Sequence, residues 1–364
     1  MPAACGIPIS FIMFNISIKK ALLQTFFAAF AIMPPMPASA APDAADPEDA
    51  CEIFEVRVPE FSPIAYARAT ASLFRAYEKS SGEPIKKGSK GRVGIKVYTN
   101  SGPGLCTPTE LVDAVIDQLV RRGYDKKDIT IVDMSRRKLR DCGYLPKRSR
   151  LKAGMADDYK GVPVADIESG KFFDARWYYD NPLSPKSVRG EASNDIYNPE
   201  LRKSYLPVPL FLSVDFWINL PMVTDMEGLG VCAALGNASI WNMSNNERFL
   251  KSPANASMAA AEVCSIPELK DSNLFTILTL EKGQFVGGAI FNSRCTFSEN
   301  AILMSRNPVV LDYVAWELIN KYRAADKFDK IEPMPALLNY CKELKIGDWD
   351  PRAARRVLIP FRSR

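Results

Sequence analysis

The stretch 92–133 constrains the fold of this chain more than any other. Arg92-Val93-Gly94-Ile95-Lys96-Val97-Tyr98 reads as a strand, Thr99 to Gly104 as a turn, and Thr107-Pro108-Thr109-Glu110 as a helix start. Thr107 is placed to cap, Pro108 suits the first helical position, and Glu110 completes a capping box. Leu111, Val112, Val115, Ile116, Leu119 and Val120 recur at helical spacing, Gly123 ends the helix, and Asp128 to Asp133 is a second strand. Two short buried strands joined by a crossover helix imply parallel pairing. The expected class is α/β, a largely parallel or mixed sheet flanked by helices.

The rest of the chain fits that class. Glu52 to Val58 alternates as a strand, and 62–77 reads as an amphipathic helix with Ile64, Ala67, Ala71, Leu73 and Phe74 near one face. Val214 to Leu220, Leu274 to Leu280 and Ala301 to Met304 are strands. Gly230 to Ile240, Met258 to Cys264 and Asn307 to Arg323 are helices, and 334–344 and 351–357 are peripheral helical pieces. Residues 153–210 are rich in turn formers and form an irregular insertion near the middle, with a strand candidate at Lys171 to Tyr179.

Export is the expectation for the N-terminal end. Lys19 and Lys20 precede an apolar run from Ala21 to Met33. Three prolines and Ala38-Ser39-Ala40 follow, the order of a cleavable signal peptide over 1–40. The run is shorter than the roughly 20 residues that span a bilayer, which disfavours a retained anchor. Met13 is an alternative start with a more ordinary signal behind it. The location expected is periplasmic or extracellular. The segments expected after the signal are a lead, strand and helix over 41–91, an α/β domain over 92–323 and a helical extension over 324–364.

Composition excludes several chemistries. The chain has no histidine, so Ser-His-Asp and Cys-His catalysis and His-ligated zinc are ruled out. Acid–base work would fall to Asp, Glu, Lys, Tyr or Cys with a shifted pKa. Beyond the signal, cysteines stand at 51, 106, 142, 232, 264, 295 and 341, an odd number with no C-x-x-C spacing. A partial disulfide framework and a set of buried thiols are both open. No metal or cofactor is expected. The net charge of +5 is too small to argue for nucleic-acid binding, and the eight basic residues within 135–152 read as a solvated face.

Three segments in order resemble a known family. Asp215-Phe216-Trp217-Ile218-Asn219-Leu220-Pro221, Gly230 to Asn237 and Ile302 to Asp312 are similar to motifs of the bacterial DUF 362 family, a domain of unknown function. The strand–helix–strand at 92–133 is similar to that family's first half, so the likeness covers about 90–322. Departures are pointed: Pro221 leads into Met222-Val223-Thr224-Asp225 without the family's Lys and His. Gly236 replaces its Lys, and Asn307 opens its Asp-Pro-Val segment. If those groups carry the family's chemistry, this chain has lost it or uses another set.

Candidate site residues follow from the α/β class, in which ligands bind beyond the carboxyl ends of the strands. Asn100, Ser101, Gly102 and Gly104 lie there, with the helix start at Thr107 beside them and Lys96 within the strand. Asp225 and Glu227 follow a later strand, Asn237 lies on the next helix, and Asp312 on the long one. A Lys96–Asp225 pair would be the acid–base set, with Asn100, Ser101, Gly102, Thr107, Asn237 and Asp312 binding a small anionic molecule. The plainer alternatives are a connecting turn with a snorkelling lysine and solvated surface acids. Gly228-Leu229-Gly230-Val231-Cys232-Ala233 matches a dinucleotide fingerprint only weakly. Two functions remain open: an exported enzyme acting on a small anion, and a non-catalytic envelope protein binding a ligand or partner.

Overall fold

The strand–helix–strand unit forms the middle of the sheet. In the computed structural model β2 (Val93–Val97) lies parallel to β3 (Ile129–Asp133), with Val93 opposite Ile129 and Lys96 opposite Val132. The model describes residues 51–147, 157–171, 173–181, 202–250, 253–350, 352 and 354–361. The expected signal at 1–40, the lead before Cys51, part of the basic run and much of the insertion lie outside the described residues.

Among the described residues the main sheet has nine strands. Beyond β3 come β5 (Val162–Asp166), parallel, and the two-residue β4 (Asp158–Tyr159), antiparallel. On the other side of β2 stand β8 (Phe216–Leu220) and β11 (Asn273–Thr279), both parallel. Then come β14 (Ala301–Ser305), antiparallel, β1 (Cys51–Arg57) and β15 (Ala354–Ile359). The chain leaves β2 toward β3 and leaves β8 toward β11, so the strand order diverges between β2 and β8. That is the topological switch point of an open α/β sheet. Two smaller sheets accompany it. One is β10 (Gly230–Cys232), β9 (Val223–Met226), β12 (Gly283–Gln284) and β13 (Thr296–Phe297); the other pairs β6 (Phe173–Asp180) with β7 (Lys203–Pro207).

Helices cover both faces. α1 (Pro63–Ser81) and α2 (Thr109–Val120) pack with Ile95, Val97, Ile131, Ile218, Phe275, Ile277 and Met304 in one apolar cluster. The alternate residues of the strands face the other way. There Leu278 and Leu303 meet Val310, Leu311, Ala315 and Ile319 of α8 (Pro308–Ala325). Short α3 (Arg136–Asp141) follows β3. α4 (Ala234–Ala238), α5 (Glu247–Leu250), α6 (Pro253–Cys264), α7 (Pro267–Ser272) and α9 (Ala336–Glu343) make up the rest.

Five local expectations change. α1 buries Tyr66, Ala69, Thr70, Leu73, Phe74 and Tyr77, while Ile64 is 64% exposed. The aromatic rings, not the alanines at 67 and 71, set its inward face. Residues 230–240 are not one helix, because β10 precedes α4. Residues 354–357, part of the piece 351–357 expected as helix, belong to the edge strand β15. β15 pairs with β1, and Arg355 and Arg356 form ion pairs with Glu52 and Glu55. So 324–364 is not wholly helical, and this extension and the 41–91 segment each add a strand to the sheet. The insertion at 153–210 likewise contributes β5 to it.

The fifth concerns Thr107, which makes no helix cap. α2 begins one residue beyond Pro108 with no side-chain cap. The Thr107 hydroxyl donates to the Leu220 carbonyl at 2.6 Å and accepts from the Tyr98 N–H at 2.8 Å, joining the end of β8 to the end of β2. Thr107→Val keeps the volume and removes both bonds. It is expected to lower stability by about 1–3 kcal/mol in a urea titration, since the buried Tyr98 N–H and Leu220 carbonyl each lose a partner.

Candidate functional site

A row of polar side chains crosses the face of the sheet opposite α1 and α2 at the switch point. Lys96 lies opposite Asn219, Asn219 opposite Thr276, and Thr276 opposite Ser305. Each is a polar residue on a largely apolar strand, Ser305 at the end of its own, and each is buried. Their position follows from the pleat: Ile95 and Val97, Ile218 and Leu220, and Phe275 and Ile277 all point to the α1–α2 face.

Lys96 is the centre of the row and is 0% exposed. Its ammonium donates to Asp133 Oδ1 at 2.6 Å, to the Val97 carbonyl at 2.9 Å and to Asn237 Oδ1 at 3.0 Å. Three protons meet three acceptors. The other Asp133 oxygen accepts from the Thr99 N–H at 2.7 Å and from the Thr99 hydroxyl. Asn237 passes the chain on, donating to Asn219 Oδ1 at 2.8 Å, and Asn219 donates to the Ala234 carbonyl at 2.8 Å. Burial pulls the Lys96 pKa below its ordinary value, and the Asp133 carboxylate opposes that pull.

The loop after β2 is folded on itself. The Gly102 N–H donates to the Thr99 carbonyl, the Leu105 N–H to Gly102, and the Thr107 N–H to Tyr98. With the Thr99 N–H on Asp133, four backbone donors near this strand end are engaged by protein acceptors. Gly102 has φ +76°, which suits glycine at this turn. Gly104 touches the Phe291 ring so closely that an added Cβ would lie 2.1 Å from it. Ser101 accepts or donates to the Tyr98 hydroxyl at 2.7 Å, and the Asn100 carbonyl accepts from Lys138. The Asn100 Nδ2 is buried without a hydrogen-bond partner.

The expected residues therefore divide. Lys96 and Asn237 are in contact, and Thr107 and the 99–104 loop adjoin them. Asp225 does not pair with Lys96. It lies on β9 of the small sheet, accepts from the Gly288 N–H at 2.9 Å and stands 3.6 Å from Arg323 Nη1. Glu227 is exposed. Asp312 is wholly buried on α8 and aims at the first turn of α4, accepting from the Leu235 N–H at 3.3 Å. Burial pushes its pKa up to about 8, against the lowering by the N–H groups of residues 233–235. The Gly228–Ala233 segment runs from the end of the β9–β10 turn through β10, which pairs antiparallel with β9, so it is not a dinucleotide loop.

Asp133, Asn219 and Thr276 were not singled out from the sequence. Asp133 was the most legible of them, a carboxylate ending the apolar strand Ile129-Thr130-Ile131-Val132. A cleft of about 460 Å³ opens beside β5, lined by Arg136, Asp157, Asp166, Ser169 and Lys171. A cavity of about 50 Å³ lies between Trp217, Cys264, Asn273 and Arg306. Neither reaches Lys96. In the cleft Arg136 already pairs with Asp157 and Asp166. Among the described residues no group of three or more Cys, Asp or Glu is placed to hold a metal ion, and no helix is long and apolar enough to cross a membrane.

The fold and site together define a mixed α/β protein with a buried polar row at its switch point. No sequence-family model matches the chain. No curated protein matches it either. Among solved structures, a Thermotoga maritima protein aligns over 75% of this chain and 60% of its own length, with 10% identity and a TM-score of 0.37. The chain thus spans less than two thirds of that protein.

Proposed function

We propose that this chain is an exported, non-catalytic envelope protein, a divergent relative of DUF 362. On this reading residues 1–40 direct it to the periplasm or beyond. It works by binding a ligand or partner at its surface, not by turning over a small anion at the strand ends. The observation that carries the reading is the state of Lys96, fully buried and hydrogen-bonded to three protein acceptors. A lysine that serves a substrate needs a free direction toward it, and this one has none. The family residues that this sequence lacks, a Lys and a His after Pro221 and a Lys at Gly236, point the same way.

The other reading, an enzyme or binder for a small anionic metabolite at this strand end, is favoured by one feature. The Asn100 amide is buried and unpartnered beside the loop. A thermal-shift screen of residues 41–364 separates the two. Carboxylates, phosphate esters and divalent cations are each added at millimolar concentration. The non-catalytic reading predicts no saturable rise in Tm from any of them. A ligand that binds only the folded state at a hundred times its Kd would add about 2.7 kcal/mol. Such a rise, abolished by Asn100→Ala, would return the chain to the enzyme reading.

A further inference from the structure

We infer that Cys106 and Cys142 form a disulfide that staples the loop after β2 to the end of α3. Cys106 sits in that loop between Leu105 and the Thr107 suture, and Cys142 is the residue that closes α3. Their backbones are held together from both sides. The Tyr144 hydroxyl donates to the Thr107 carbonyl at 2.7 Å, and Lys138 of α3 donates to the Asn100 carbonyl. A Cβ on Gly143 would come into ordinary contact with the Thr109 methyl at 3.7 Å. Tyr144 is itself fixed by its N–H on the Leu139 carbonyl at 2.8 Å. Between these contacts the two thiols hydrogen-bond to each other.

The pair is also asymmetric in a useful way. Cys106 is partly exposed and Cys142 is buried. The bond from Cys142 lowers the Cys106 pKa, while that bond and burial push Cys142 up. Cys106 is therefore the more exposed and the more acidic of the two thiols, and the one an oxidant meets first. With a small disulfide such as oxidised glutathione the steps balance. The Cys106 thiolate attacks one glutathione sulfur, forming a mixed disulfide and releasing one glutathione thiolate. Cys142, losing its proton, then attacks the Cys106 sulfur and releases the second. Two protein thiols are oxidised, one small disulfide is reduced to two thiols, and the protons pass to the released thiolates or solvent. The remaining cysteines are placed less well. Cys232, Cys264, Cys295 and Cys341 are buried, and the Cys51 sulfur lies 3.3 Å from the Ser305 hydroxyl.

The test uses residues 41–364 equilibrated with oxidised and reduced glutathione, so its outcome does not depend on where the chain resides. Non-reducing tryptic mapping is expected to find Val97–Arg121 joined to Asp141–Lys147. Reduction is expected to lower Tm by about 5–10 °C in the parent chain and in Cys51→Ser, and to leave Tm unchanged in Cys106→Ser and Cys142→Ser. Recovery of both peptides unlinked under oxidising conditions, or a link through Cys264 and Cys341 in their place, overturns the assignment. Should one serine variant fail to fold, the peptide map of the parent chain still decides.

Discussion

Lys96→Met is expected to lower stability by about 3–5 kcal/mol in a chemical denaturation experiment at neutral pH. The substitution keeps most of the side-chain volume and removes the charge. Asp133 then remains as a fully buried carboxylate with only the Thr99 N–H and hydroxyl as donors. An isolated buried charge of this kind is what makes single deletions from ion pairs so damaging. The same reasoning predicts recovery. In Lys96→Met/Asp133→Asn the neutral amide still accepts from Thr99 through its oxygen and no charge is left unpaired. The double variant is expected to be more stable than Lys96→Met by about 2 kcal/mol or more. A Lys96→Met protein as stable as the parent would mean that the lysine and Asp133 are not paired in the folded chain.

The second large effect concerns Asp312. Its folded pKa of about 8 lies far above the ordinary carboxylate range because the side chain is wholly buried. Between about pH 4 and pH 8 the folded state holds this proton and the unfolded state does not. The folded state therefore binds more protons, and stability falls as pH rises through that window. Below it both states are protonated and the penalty vanishes. The slope expected from this group is on the order of 1 kcal/mol per pH unit. Asp312→Asn removes the ionisation while its carbonyl oxygen still accepts from the N–H of Leu235. Denaturation at several pH values is expected to show a flatter profile in the variant and a gain in stability above pH 7. Parallel profiles for the two proteins would assign the slope to other groups.

Much of this architecture was legible because the parallel strands are buried on both faces. Val93 to Val97, Phe216 to Leu220 and Asn273 to Thr279 are short, largely apolar runs, and α2, which connects β2 to β3, carries a clean stripe. Where the signal was weaker, the reading slipped. α1 has alanine on both sides, so the tyrosines at 66 and 77 decide its inward face. β15 has Arg355 and Arg356 in its middle, and its pairing with β1, whose Glu52 and Glu55 take the two guanidinium groups, is not visible in the local sequence.

The site was legible in part for a similar reason. A lysine inside Val-Gly-Ile-Lys-Val stands out, and Asn237 lies at a predictable distance along the chain. Its true carboxylate partner did not stand out, because Asp133 and Asp225 both follow strand candidates. The sequence does not say that β9 departs into a separate sheet and carries Asp225 to Gly288 and Arg323. Thr107 shows the same limit. Its neighbours spell a capping box, yet the hydroxyl has a better acceptor in the Leu220 carbonyl, which is distant in sequence and adjacent in space.

Amine labelling shows whether Lys96 is a structural group closed to any substrate. The folded chain is acetylated briefly with an N-hydroxysuccinimide ester, and modification at each lysine is read by peptide mass spectrometry, with an unfolded sample as reference. Lys96 is expected to stay unmodified in the folded protein, while exposed lysines such as Lys79 and Lys90 react, and to react once the chain is unfolded. Labelling of Lys96 in the folded protein at the rate of Lys79 and Lys90 would mean that this lysine is open to a substrate after all.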